Sequence, residues 1–304
     1  NGWIPLDDDA VADVPVAPST QKAIYAFGNT GSKTNLSNLV NSSGVIATDT
    51  TGVGTARSGL GACTYGGDKA IFAYGTTGSK TNLSNLVNNS GVVASDTSGV
   101  GSNTTDRGAC GYGSDKGIFG YGSAADSVSL TNLVSNSGVV SADVTGVGTA
   151  REYLSACTYG GDKGIFGYGG QNVSLTNLVS NSGVVSADVT GVGTARRTLG
   201  AASYGGDKGI FGYGFVESDT NLTNLVSNTG VVSADVTGVG TARRCQNGAT
   251  NYGGDKAIFA YGDVADTKVS MSNLVSNTGV VSADVTGVGT ARSAGAAAGY
   301  STSA

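Results

Sequence analysis

An all-β fold of six repeated units is predicted by three features of this 304-residue sequence. The heptapeptide at 22–28 (KAIYAFG) recurs as near copies beginning at Lys69, Lys116, Lys163, Lys208 and Lys256, in steps of 47, 47, 47, 45 and 48 residues. Short apolar runs alternate with Gly, Asn and Asp turn signals, and no segment keeps a helical period without glycine interruptions. Glycine reaches 51 residues against three prolines, with only 13% charged residues, a composition that suits neither a disordered chain nor collagen.

Within a unit, the first strand is a run of small residues ending in Tyr-Gly. A Gly-Gly-Asp hairpin follows at 66–68, 160–162, 205–207 and 253–255, where glycine takes left-handed backbone angles cheaply. In the second strand, Ile, Phe and Tyr alternate with Gly or Ala, as expected where both sheet faces are covered and small residues admit a neighbour's bulky ones. The third strand ends Asn-Leu-Val, beginning at Asn38, Asn85, Asn132, Asn177, Asn224 and Asn273. After an Asn-Ser-Gly or Asn-Thr-Gly turn comes a Val-rich fourth strand such as 138–144 (GVVSADV), then Gly-Val-Gly-Thr-Ala-Arg.

Four strands in about 47 residues is the period of a propeller blade; a β-solenoid or linear array is the competing reading. The first unit starts at its second strand, and the sequence stops after a lone first strand at 295–300, which supplies what that unit lacks. The expectation is a six-bladed β-propeller of four-stranded antiparallel blades over 21–304, 24 strands in all, its ring closed by the C-terminal strand completing the first blade. Residues 1–20 read as a separate extended arm: they hold Pro5, Pro15, Pro18, the only tryptophan and the acidic run at 7–9.

The chain has no histidine, which removes the Ser-His-Asp triad, the Cys-His dyad and the histidine-zinc site together. A net charge of −5 and a pI near 4.6 argue against nucleic acid, and no run reaches the length of a membrane span. The sequence begins at Asn1 without methionine, and residues 1–5 do not read as a signal peptide. One carboxylate per repeat is far short of a calcium shell, and the cysteines lack zinc spacing, so neither metal nor cofactor is expected. Cys63, Cys110 and Cys157 sit at a position that elsewhere holds Ala or Thr and read as packed small residues; Cys245, in a varied loop, reads as an exposed free thiol. Arg57, Arg151, Arg196, Arg243 and Arg292 recur once per unit, with Thr104 at the equivalent place and Arg107 displaced. Such repetition marks structure: each arginine is expected to tie a loop to carbonyls or to an aspartate such as Asp49, Asp143, Asp188, Asp235 or Asp284.

The arginine, the Tyr-Gly-Gly-Asp-Lys hairpin and the Ile-Phe-Gly-Tyr-Gly strand together resemble kelch-like propeller repeats, especially those of structural proteins of tailed phages from aquatic environments. The resemblance covers 21–304 and departs from standard kelch in lacking the glycine doublet after most second strands and the fourth-strand tryptophan. The GDKAIFAYG strand also resembles blades of the chromosome-condensation-regulator propellers. What the phage resemblance implies is a virion or extracellular location and other virion proteins as partners.

The six copies differ from one another in two places. One is the loop after the second strand, at 29–34, 76–81, 123–129, 170–174, 215–221 and 263–270; the other follows Thr-Ala-Arg, at 58–60, 105–107, 152–154, 197–199, 244–247 and 293–294. In an up-and-down blade both lie on one side of the disc, which makes that side the candidate binding face. Its candidate contacts are Glu152, Tyr153, Arg197, Phe215, Glu217, Arg244, Gln246 and Asp263, with Trp3 and Ile4 as anchors of the arm. The functional expectation is a non-enzymatic, virion-associated binding propeller, as a tail or capsid-decorating protein, that recognises a host-surface glycan, receptor or protein. A secreted or cellular kelch-like adaptor and a glycan-processing propeller enzyme are the alternatives.

Overall fold

The computed structural model describes residues 21–301; the expected arm, with Trp3 and Ile4, lies outside the described residues. Every regular element among them is a β-strand, and the strands form six three-stranded antiparallel sheets. The first sheet holds β1 (Lys22–Asn29) and β2 (Lys33–Val40), and the second β3 (Gly61–Tyr65), β4 (Lys69–Ala73) and β5 (Ser84–Val87). The third is β6 (Gly108–Tyr112), β7 (Lys116–Gly120) and β8 (Thr131–Val134); the fourth is β9 (Ser155–Tyr159), β10 (Lys163–Gly167) and β11 (Thr176–Val179). The fifth is β12 (Gly200–Tyr204), β13 (Lys208–Gly212) and β14 (Thr223–Val226), and the sixth β15 (Ala249–Tyr252), β16 (Lys256–Val264) and β17 (Thr267–Val275). The last strand, β18 (Ala296–Tyr300), returns to pair with β1 from Lys22↔Tyr300 to Ala26↔Ala296. The result is a propeller-like repetition of small sheets whose first strands line one central cavity of about 60 Å³.

The expected fourth strand is a correction. Each Val-rich segment touches its sheet through two isolated bridges, Val40↔Ile46 and Ser37↔Thr50 in the first unit, instead of a ladder. Ala47 N–H donates to Leu39 O and Thr50 N–H to Ser37 O, so residues 48 and 49 together face Asn38. This extra residue is a bulge, and it breaks the ladder. The Asn38 amide fills the gap, donating to Ala47 O and to Asp49 Oδ1, each at 2.9 Å. Asn85, Asn132, Asn177, Asn224 and Asn273 do the same in the other units. A second departure lies in units one and six, where the expected loop after the second strand is partly a continued ladder reaching Asn29↔Lys33 and Val264↔Thr267.

Adjacent sheets are joined by one buried arginine each. The guanidinium of Arg196 lies 4.5 Å over the ring of Tyr168 from the preceding sheet. In its own sheet it donates to Tyr213 O at 2.9 Å and Asn224 Oδ1 at 2.7 Å, with Asp235 at 3.9 Å. Thr194, two residues earlier, caps the same Asp235 with its N–H and hydroxyl. Ring stacking recurs for Arg57, Arg107, Arg151, Arg243 and Arg292, on Phe27, Tyr74, Tyr121, Tyr213 and Tyr261. These rings are presented by a strained backbone: Phe27, Tyr74, Tyr121, Tyr168, Tyr213 and Tyr261 all have φ between 61 and 67°. A left-handed bulky residue costs roughly 1–2 kcal/mol, which a desolvated cation–π contact of roughly 2 kcal/mol offsets.

The displaced arginine of the second linker divides its work. Thr104 O accepts from Gly75 N–H as the arginine carbonyls do elsewhere, while the Arg107 side chain reaches Tyr74 and Asn132. The turn glycines have a packing reason. A Cβ on Gly138 would lie 2.9 Å from the Tyr65 ring of the preceding sheet, and Gly44, Gly91, Gly183, Gly230 and Gly279 meet a tyrosine in the same way. On the hairpin side, Gly66, Gly113, Gly160, Gly205, Gly253 and Ser301 each donate an N–H to the next unit's chain, at Asp115, Asp162, Asp207, Asp255, Gln21 and Asp68. The first and last described residues therefore lie together on that face.

Arg196→Ala leaves Asn224, Asp235 and the Tyr213 carbonyl without their buried cation, and is expected to lower the unfolding free energy by about 3–5 kcal/mol in urea titration. Arg196→Lys should recover little of it, because an ammonium cannot stack on Tyr168 and reach both acceptors at once.

Candidate functional site

The two varied loops of a unit are physical neighbours. Ser58↔Thr76, Thr105↔Ser123, Arg197↔Phe215, Arg244↔Asp263 and Asn29↔Ser293 are antiparallel bridges between them. Within each of these units the two kinds of variation therefore fall together.

Around the fifth and sixth sheets the loops form a charged aromatic cluster. The Phe215 ring has the Arg244 guanidinium 4.6 Å from its centroid and that of Arg197 at 5.2 Å. Arg244 also pairs with Asp219 at 3.0 Å and Asp266 at 2.7 Å, and Ala265 N–H donates to Asp219. Asp263 lies 3.9 Å from Lys268. Arg197 forms no ion pair among the described residues, and Glu217, two residues from Phe215, is exposed. Arg197 and Glu217 therefore offer free charges, whereas Arg244 is largely satisfied within the protein.

A second group is linked unit to unit by backbone hydrogen bonds, and its Asn247 lines the central cavity. Gly59, Asp106, Tyr153, Thr198, Asn247 and Ala294, one per unit, all have left-handed backbones, with φ between 49 and 68°. The N–H of Gly59 donates to Ala294 O, Asp106 to Gly59 O, Tyr153 to Asp106 O, Thr198 to Tyr153 O and Cys245 to Thr198 O. The same left-handed backbone thus carries five different side chains and, at Gly59, none. From the longer entry loop of the sixth sheet, Gln246 Nε2 reaches Asp106 Oδ1 at 2.7 Å, and Asn247 Nδ2 reaches the carbonyls of Leu60 and Arg107 at 2.9 and 2.8 Å. These bonds join residues 140 to 187 positions apart, so the loop meets non-adjacent units. Burial, aided by the nearby charge of Glu152 and opposed by the Gln246 and Thr105 hydrogen bonds, pushes the Asp106 carboxyl up to about 6. The charge of Asp106, with burial and Glu152, raises the Tyr153 hydroxyl, while Arg197 opposes them.

Of the residues singled out in the sequence, Arg197, Phe215, Arg244 and Asp263 meet in the first group, and Glu152, Tyr153 and Gln246 in the second. Arg197 lies close enough to Tyr153 to link the two. Sequence reasoning missed Asp106, Thr198 and Asn247, whose signal was the odd spacing around Arg107 and in the loop after Arg243. Cys245 is corrected: its thiol is buried, with 1% of the residue exposed, and donates to Gly248 O at 3.2 Å. The extra residue of that loop turns Cys245 inward against Ala249 and Tyr213, and burial raises its pKa.

No group of three or more His, Cys, Asp or Glu among the described residues could hold a metal ion, and no helix there is long and apolar enough to cross a membrane. No protein-family model matches the chain, and neither does any curated protein.

The raised Asp106 carboxyl sets a pH dependence. Its proton stabilises the fold fully below pH about 4, the unfolded value, and that contribution is lost as pH rises through about 6. Above about pH 5, where the aspartates held low by their hydrogen bonds have finished titrating, the urea midpoint should therefore fall toward pH 6.5, and Asp106→Asn should remove that component of the slope.

Proposed function

We propose that the six sheets close into a six-bladed β-propeller with β18 completing the first blade, and that this propeller is a non-enzymatic binding module. The closed ring is supported by contacts that run from the sixth sheet back to the first. Thr290 caps Asp49, the rings of Tyr261 and Tyr25 lie 5.4 Å apart, Arg292 stacks on Tyr261, and Gly253 N–H donates to Gln21 O.

The observation that carries the binding reading is the continuity of the varied residues: Asp263, Arg244, Phe215, Arg197, Tyr153, Glu152 and Gln246 form one connected surface, while the buried arginine and tyrosine positions repeat in nearly every unit. A scaffold that repeats its joints and differs at one face has the form of a recognition surface. The described chain enters at Gln21 and leaves at Ser301 on the opposite face. Attachment through residues 1–20, with Trp3 and Ile4, would therefore present the varied face outward, toward a cell-surface glycan or receptor. The virion-associated setting, as a tail or capsid-decorating protein, rests on the resemblance of the repeats.

A Tyr153→Ala, Arg197→Ala, Glu217→Ala triple variant should lose at least about tenfold in binding to host-cell surfaces, read by pulldown, with a melting temperature within about 3 °C of the parent. Undiminished binding by the folded variant rejects the face. Deleting residues 1–18 should abolish co-assembly while leaving the thermal unfolding transition in place; loss of the folded state would refute a separate arm.

A further inference from the structure

On the face opposite the varied loops, a cavity of about 200 Å³ opens into the central one. We infer that this cup is a binding site for a small uncharged polyhydroxyl ligand, the size of a single sugar ring.

Three observations carry the inference. The first is where the copies differ. The first strands keep alanine at Ala62, Ala109, Ala156, Ala201, Ala249 and Ala297, yet two residues later they read Thr64, Gly111, Thr158, Ser203, Asn251 and Gly299. Five of these, all but Gly299, line both the cup and the inner cavity. Sixfold repetition is broken here as it is on the loop face.

The second is chemistry. Among the described residues the lining offers the hydroxyls of Thr64, Ser114, Thr158 and Ser203 and the amides of Gln21 and Asn251, and no charged side chain. The nearby aspartates and lysines of the hairpins pair with each other instead, as Asp68 does with Lys69 at 2.6 Å and Asp115 with Lys116 at 2.9 Å. Among the described lining residues a cation or an anion would find no counter-charge, whereas a neutral polyol finds donors and acceptors. The hydroxyl of Thr64 and the amide of Asn251 make no hydrogen bond to other described residues. Ser114 brings a hydroxyl to the rim at a left-handed position, φ 68°, where the sister hairpins have glycine.

The third is shape. At the end of the inner cavity toward the varied loops lies Asn247, whose amide reaches the carbonyls of Leu60 and Arg107 and narrows it. The volume lies below the roughly 300–1,000 Å³ of sites for drug-sized ligands, which limits the occupant to about one ring.

The test is an NMR titration of the isotopically labelled full chain with glucose, N-acetylglucosamine and glycerol, each separately. At least one of the two sugars should shift the amides of Thr64, Ser203 and Asn251 saturably, with a Kd of about 1 mM or tighter, and glycerol should bind more weakly. Thr64→Val and Asn251→Leu, which remove the polar atoms without a partner among the described residues, should each weaken binding roughly three- to tenfold, while Val139→Ala, at an exposed position of a fourth segment, leaves it unchanged. Absence of saturable shifts up to about 50 mM, equal affinity in both cup variants, or shifts confined to the varied loops would overturn the assignment.

Discussion

The rest of the structure depends on burying one guanidinium per sheet. Each is almost wholly removed from water, and burial pushes Arg57 down to about 10, so the charge is tolerable only with its partners in place. Those partners come from several parts of a unit: a carbonyl in or just after the second strand, in four units an asparagine on the third strand, in four an aspartate in the fourth segment, and the aromatic ring of the sheet before. Satisfying one side chain therefore fixes the strand spacing, the bulge that aims the aspartate, and the docking of neighbouring sheets. In four units the left-handed aromatic serves both sides of the joint, its ring lying beneath the next arginine while its carbonyl accepts from its own.

Most of this was legible as repetition. The period, the second-strand heptapeptide and the Gly-Gly-Asp hairpins locate β1, β4, β7, β10, β13 and β16 directly, because alternating large and small residues leave few other ways to pack. The fourth segment was harder. Its valines alternate like those of a strand, but nothing in Ser-Ala-Asp-Val announces that a bulge places two residues opposite Asn38 and its counterparts. The side chains that mend the gap are identifiable only once the register is known. Arg107 shows the same limit: three residues from its expected place, it still reaches Tyr74, since a long side chain can recover a position that the backbone has given up. Cys245 failed for a related reason. A loop that varies was read as exposed, yet an inserted residue can turn one side chain inward as readily as it pushes another out.

Rotational repetition also explains which sites were open to variation. A residue between two sheets meets the next copy of itself or of its partner, so a change in one unit requires matching changes in both neighbours. Residues at the centre and on the loop face meet non-adjacent units instead, as Gln246 and Asn247 meet Asp106, Leu60 and Arg107, and escape that coupling. At the centre, crowding adds its own demand for difference. A Cβ on Gly111 would already lie 3.1 and 3.2 Å from the hydroxyls of Thr64 and Thr158, so six threonines could not share that ring. Crowding alone, however, asks only for smaller side chains, and alanine, which serves in all six copies two residues earlier, would meet it. That the larger members are hydroxyls and an amide, uncharged and in part without a partner, is the part that packing leaves over, and a ligand of matching polarity accounts for it.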